Sequence, residues 1–260
     1  MNKITKNEKV LLKYDNKNSV IKTNSLFDDL IKTNKLSVDK NIVLLTKGNA
    51  NKIENLISKD DNYYPFFPKI FKSFNFNDIQ ENKDRALFAC IREIDKDNST
   101  NAWKYNNKKE SFYKIIKYIQ NPSNKFWEDL KNGEKNLPNK LLDASENNEN
   151  SNNKGLKSLA SKICKYLSDE TSKINKSYKF DCYYINDRIV RGVLLFYLDY
   201  YKIEHNNIKT AHKLQNIDYC ELFDLLESLN NSAAKKHGNK LTKNELDHIL
   251  WYCYKSFEIH

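Results

Sequence analysis

Only 5 glycines and 4 prolines punctuate a chain of 260 residues. Tight turns draw on glycine's access to positive φ or on proline's fixed φ, so a fold of many short strands and hairpins is excluded. A mainly α chain is expected instead. The same scarcity removes the nucleotide-binding folds whose glycine-rich loops let backbone amides close on phosphate, because no such loop occurs. With 39% hydrophobic residues, 12% of the chain aromatic, there is enough apolar surface for one large domain or two smaller lobes.

The net charge of +10 draws the chain toward polyanions, and nucleic-acid phosphate is the common one. A surface rich in Lys and Asn for compositional reasons alone gives the same number, so both readings stand. Cys90, Cys164, Cys182, Cys220 and Cys253 are scattered, odd in number and without a Cys-x-x-Cys pair. They read as reduced thiols rather than a disulfide frame or zinc ribbon. His205 and His212 make a poor metal pair without a nearby carboxylate or thiolate. No metal or cofactor is expected. The opening "MNKITKNEKVLLKYD" lacks the apolar stretch of a signal peptide, and no run approaches a membrane span. A cytoplasmic protein with no membrane partner is expected.

The chain divides into a mixed segment at 1–80, a helical lobe at 81–142, a polar loop at 143–155 and a C-terminal helical lobe at 156–260. In the first, "NSLFDDLIKTN" reads as a helix capped by Asn24 or Ser25, "NIVLLTKGN" as a strand or buried turn, and "NANKIENLISKDD" as a helix. "NYYPFFPKIFKSF" is too proline-broken for a helix; its aromatics beside lysines suit base stacking, or equally a core. "KDRALFACIREID" places Leu87, Phe88, Ile91 and Ile94 at helical spacing, and "ESFYKIIKYIQN" does the same with Phe112, Ile115, Ile116 and Ile119. "NKFWEDLKNG" is a short helix stopped near Gly133. The low-complexity "DASENNENSNNKG" is a loop, as is "DETSKINKSYKF". Long helices follow at "NDRIVRGVLLFYLDYYK", "NIDYCELFDLLESLNNSAAKK" and "LTKNELDHILWYCYKSF", the last opened by a Thr242/Glu245 capping box. Two lobes flanking a cleft are expected.

The helix of residues 156–167 carries the first candidate site residue. At 100° per residue, Leu156, Leu159, Ile163 and Leu167 share one face, with Ala160 and Cys164 beside them. Lys165 should point away into solvent. Lys162 lies about 120° from the apolar centre, on the flank. There its amine could overhang a cleft wall, where partial desolvation frees the lone pair. A surface lysine laying its stem over an apolar edge satisfies the same pattern. The second candidate is Asp187, just before an apolar helical run. That position makes it an N-cap, and it also sets a carboxylate at the positive end of a helix dipole.

Ser161-Lys162 in "LASKICKYL", an apolar-aromatic stretch, and a single Asp187 in "YYINDRIVR" together resemble the helix-hairpin-helix DNA glycosylase superfamily. The likeness is to the 8-oxoguanine DNA glycosylase branch and its small bacterial relatives. "LTKNELDHILWYCYK", with Leu246, Asp247, Leu250 and Trp251, resembles their closing helix. The resemblance spans roughly residues 155 to 255 and implies a two-lobed helical bundle of that type, acting on DNA with a damaged or modified base. It implies that Lys162 attacks the sugar C1′ of a flipped-out nucleotide to form a Schiff base, and that Asp187 supports base loss. The step from Lys162 to Asp187 is somewhat longer than the family's, with the extra residues expected in "SDETSKINKSYK". The family's Leu-Pro-Gly-Val-Gly type of turn, which grips a phosphate, is replaced here by "NNKGLKSLASK". The grip then falls to Lys154, Gly155 and Lys157, and stacking of a flipped base to Tyr183, Tyr184 or Trp251.

That chemistry is coherent with the composition. Loss of a base leaves oxocarbenium character at the sugar, which a carboxylate steadies best where water is excluded. A neutral amine can then trap C1′, and a basic surface offsets the cost of extruding the nucleotide. Two alternatives fit the same residues. One is an anti-phage defence glycosylase acting on modified phage bases. The other is a non-catalytic helical nucleic-acid-binding protein on the same scaffold.

Overall fold

Helices take up most of this computed structural model, which describes residues 10–13, 20–21, 25–59, 84–97, 106–145, 154–205, 208, 210–255 and 257–259. In chain order the helices are α1 (Ser25–Asn34), α2 (Lys47–Lys59), α3 (Asp84–Asp97), α4 (Asn106–Gln120), α5 (Phe126–Asn132) and α6 (Leu137–Ser145). They continue with α7 (Lys154–Ile174), α8 (Arg188–Tyr200), α9 (Ala211–Asn216), α10 (Tyr219–His237) and α11 (Lys243–Tyr252). Short strands complete the set: β1 (Val10–Lys13), β2 (Val20–Ile21), β3 (Val38–Asp39), β4 (Ile42–Val43) and β5 (Phe257–Ile259). The mainly α expectation holds. No helix among the described residues is long and apolar enough to cross a membrane.

Two compact units interleave along the chain. The first comprises Met1–Asp60, Asp187–Ile217 and Asp224–His260; the second comprises Asp61–Asn186 and Asp218–Phe223. The helix carrying Lys162, grouped by sequence with the C-terminal helices, falls in the second unit with α3 to α6.

In the first unit β1 pairs antiparallel with β2 and parallel with β5, giving the order β2-β1-β5. β3 and β4 form a hairpin turned by Lys40 and Asn41, both at positive φ, as a two-residue turn of this hand requires. The buried Asn49 on α2 locks the hairpin. Its amide donates to the carbonyls of Ser37 and Leu44, each at 2.8 Å, and its oxygen accepts from Ser37 N–H at 2.9 Å. α11 packs against α2 and α8. Its Thr242/Glu245 capping box is present in full, as the sequence predicted.

The second unit packs α3 to α7 around one core. Leu87 and Ile91 of α3, Phe112 and Ile115 of α4, Leu130 of α5 and Leu141 of α6 are all fully buried there. α5 stops where expected, at Gly133 with φ 66°. A Cβ at that position would lie 2.7 Å from Cys182 Sγ, so both the backbone conformation and the close approach demand glycine.

Candidate active site

α7 positions most of the predicted site residues, and it is longer than its sequence suggested. The stretch "DETSKI", expected as part of a loop, continues the helix to Ile174. Neither glycine nor proline interrupts it. Thr171 Oγ1 donates back to the Leu167 carbonyl at 2.6 Å, and Lys165 pairs with Asp169 one turn on. The polar composition reflects satisfied side chains rather than a loop.

Lys165 is a correction. It was expected in solvent, yet it is 1% exposed. Its Nζ lies 2.8 Å from Asp181 Oδ1 and 2.9 Å from Asp169 Oδ2. α7 has no wet face here, because α3, α5 and α6 pack around it and every residue from Leu159 to Ser168 is buried. The chain after the helix then folds back and brings Asp181 to the amine. Asp181 sits at φ 56°, a left-handed conformation that Asp tolerates better than most residues, and its N–H donates to Asp169 Oδ1 at 3.1 Å. Burial pulls the Lys165 amine down, but the two carboxylates outweigh it and its pKa ends above the usual lysine value. Burial pushes Asp169 up, and Lys165 reverses only part of that. Sequence reasoning missed this cluster; the i,i+4 spacing of Lys165 and Asp169 was its one readable sign.

Lys162 is more enclosed than a flank position implies, at 5% exposed. Its neighbour Ser161 is a junction. Ser161 Oγ donates to the Ser158 carbonyl and accepts the N–H of Asn186, both at 2.9 Å. Asn186 is buried and directly precedes Asp187 in the chain. Burial drives the thiol of Cys164, on the same helix, well above the usual range and suppresses the thiolate.

Asp187 is the N-cap of α8, as its place in the sequence required. Its Oδ1 accepts the Ile189 N–H at 2.8 Å, and its carbonyl accepts from Arg191 N–H at 3.0 Å. Lys162 belongs to the second unit and Asp187 to the first.

The remaining candidates divide. Lys154 and Gly155 open α7, and Lys157 on its next turn is half-buried. Tyr184 is a correction: it is a core residue, not an open stacking platform. Its N–H donates to Tyr219 Oη and its carbonyl accepts from the same hydroxyl, both at 2.9 Å, while its ring meets Phe223 edge-on. Tyr183 is likewise fully buried. Trp251 on α11 is half-buried, with Lys255 Nζ 5.4 Å from its ring centroid. The "YYPFF" aromatics lie outside the described residues. His205 pairs with Asp199 at 2.8 Å, and the described residues hold no cluster of three or more His, Cys, Asp or Glu that could bind a metal.

The fold and these residues define a mainly helical protein with a buried lysine on one long helix and a capping aspartate opening the next. Comparison with protein-family models, curated proteins and solved structures finds no match for this chain.

Proposed function

We propose that this chain is a DNA glycosylase of the helix-hairpin-helix type, excising a damaged or modified base through an extruded nucleotide. The observation that carries the reading is the enclosure of Lys162 beside Ser161, whose hydroxyl takes the amide of the residue preceding Asp187. Such a bond fixes the helix bearing the lysine to the stretch that leads into the aspartate. An amine shielded from water is a better nucleophile than a solvated ammonium.

In the proposed reaction Lys162 acts as the neutral amine. The C1′–N bond to the base breaks and the base leaves with the bonding pair. The Lys162 nitrogen forms a new bond to C1′, and the proton it sheds neutralises the departing base. The sugar ring then opens to a Schiff base, which water releases. The Asp187 carboxyl group steadies positive charge at C1′ as the bond breaks. Lys154 and Lys157 grip phosphate in place of the missing glycine-rich turn.

The test pairs two substitutions on DNA carrying damaged or modified bases. Lys162→Gln is expected to abolish borohydride-trapped adduct. Asp187→Asn keeps the cap, because Asn caps as well as Asp, so stability should hold while base release collapses. Base release unchanged in Asp187→Asn contradicts the assignment. DNA binding without base release from any substrate, in the wild type, supports the non-catalytic alternative.

A further inference from the structure

The loop that follows α7 is fixed from below and apolar above. Tyr178 is buried, and the Tyr178 N–H donates to the Asn175 carbonyl at 3.0 Å. The Lys179 N–H donates to the Lys131 carbonyl of α5 at 3.3 Å, and its own carbonyl accepts from Ser168 Oγ at 3.2 Å. Asp181 closes the loop onto Lys165. A segment with this many anchors holds its shape without a ligand.

Against that rigidity, two large apolar side chains stand in water. Phe180 is 58% exposed and Ile174 is 62% exposed. Lys176 and Lys179 of the same loop are exposed, as is Lys131, whose carbonyl takes the Lys179 N–H. On α7 and the loop, Asp169 and Asp181 pair with Lys165 and Glu170 with Lys173, while Glu134, beside Gly133, is exposed and accepts the Asn136 N–H. The loop therefore carries an exposed aromatic ring close in sequence to the exposed Lys176 and Lys179.

We propose that this loop is a contact for single-stranded nucleic acid, with Phe180 stacking on an unpaired base and Lys176 and Lys179 holding the flanking phosphates. Aromatic rings set among cations bind single strands in this way, since every base offers a π-face and every linkage a negative charge. A membrane is the poorer fit. Interfacial binding grows with buried apolar area, and one phenylalanine with one isoleucine supplies little. The inference rests on the nucleic-acid partner of the proposed function and not on its chemistry.

The experiment measures fluorescence anisotropy of labelled oligothymidine, alongside quenching of a strand carrying 2-aminopurine. Phe180→Ala is expected to weaken binding about tenfold and to lose the quenching. Phe180→Tyr should keep both, and Phe180→Leu, which keeps the apolar bulk, should lose the quenching. Lys176→Gln with Lys179→Gln should weaken binding and flatten its salt dependence, while Lys32→Gln with Lys59→Gln, far off in sequence on α1 and α2, should leave it near wild type. Phe180 is exposed, so melting temperatures should agree across its variants. Wild-type affinity in Phe180→Ala overturns the loop assignment and leaves the excision chemistry standing. Phe180-dependent binding with no trappable adduct does the reverse. Binding to phosphatidylserine vesicles that falls in Phe180→Ala, with DNA binding unchanged, replaces nucleic acid by membrane.

Discussion

In the first unit the backbone at the end of the β3–β4 hairpin and just beyond it is held by neutral hydroxyls. Tyr254 Oη accepts the Val43 N–H at 3.1 Å, Tyr197 Oη donates to the Val43 carbonyl at 2.8 Å, and Tyr201 Oη accepts the Leu45 N–H at 3.1 Å. In the second unit the segment after α7 is held by charge, through Lys165, Asp169 and Asp181. A hydroxyl can be deleted with limited damage, because phenylalanine fills the same space. A buried charge such as Lys165 is not deleted alone, because its half-buried carboxylate partners then lose their countercharge. The two units should therefore fail differently under mutation and under pH.

The largest effect is expected at Lys165. Lys165→Met leaves two enclosed carboxylates without a countercharge and should cost about 3–5 kcal/mol in urea unfolding. Adding Asp169→Leu should recover part of that loss. If the single variant unfolds like wild type, the charge cluster contributes nothing and the comparison collapses.

Tyr197→Phe should cost less, about 1–3 kcal/mol, by orphaning the Val43 carbonyl. Equal losses at Tyr197 and Lys165 would erase the distinction between the units.

Alkaline titration sharpens the contrast. The folded-state pKa of Lys165 is raised, so its contribution is complete below the ordinary lysine value near ~10.4 and is lost as pH rises through the folded value. The buried tyrosines Tyr197 and Tyr254 are also raised, through burial, and lose stability in the same direction. The readout is thus the gap in melting temperature between wild type and Lys165→Met, which should narrow above that pH. The smallest effect is Thr242→Ala, which removes one half of the capping box and should cost about 1 kcal/mol by denaturant titration.

Local patterns made much of the helical framework legible. The faces of α3 and α4, the Gly133 stop and the Thr242/Glu245 box each depend on residues within one or two turns. Asp187 as an N-cap was readable for the same reason. Long-range pairings were not. Val10–Lys13 pairs with Phe257–Ile259 from opposite ends of the chain, and no local signal marks either as a partner. Lys165 misled because helical-wheel geometry assumes one buried face, whereas α7 is surrounded. Tyr184 misled because a tyrosine suits a core or a binding face equally well until the partner of its backbone, Tyr219, is known. At the candidate site, Lys162 and Asp187 were found through resemblance, while the Ser161–Asn186 bond became visible only in the fold.

The most direct test of the central claim locates the covalent bond itself. Wild-type protein is trapped with borohydride on DNA carrying a damaged or modified base, digested, and the modified peptide sequenced by mass spectrometry. The account predicts the adduct on Lys162. An adduct on another lysine or on the terminal amine, with Lys162 unmodified, contradicts it.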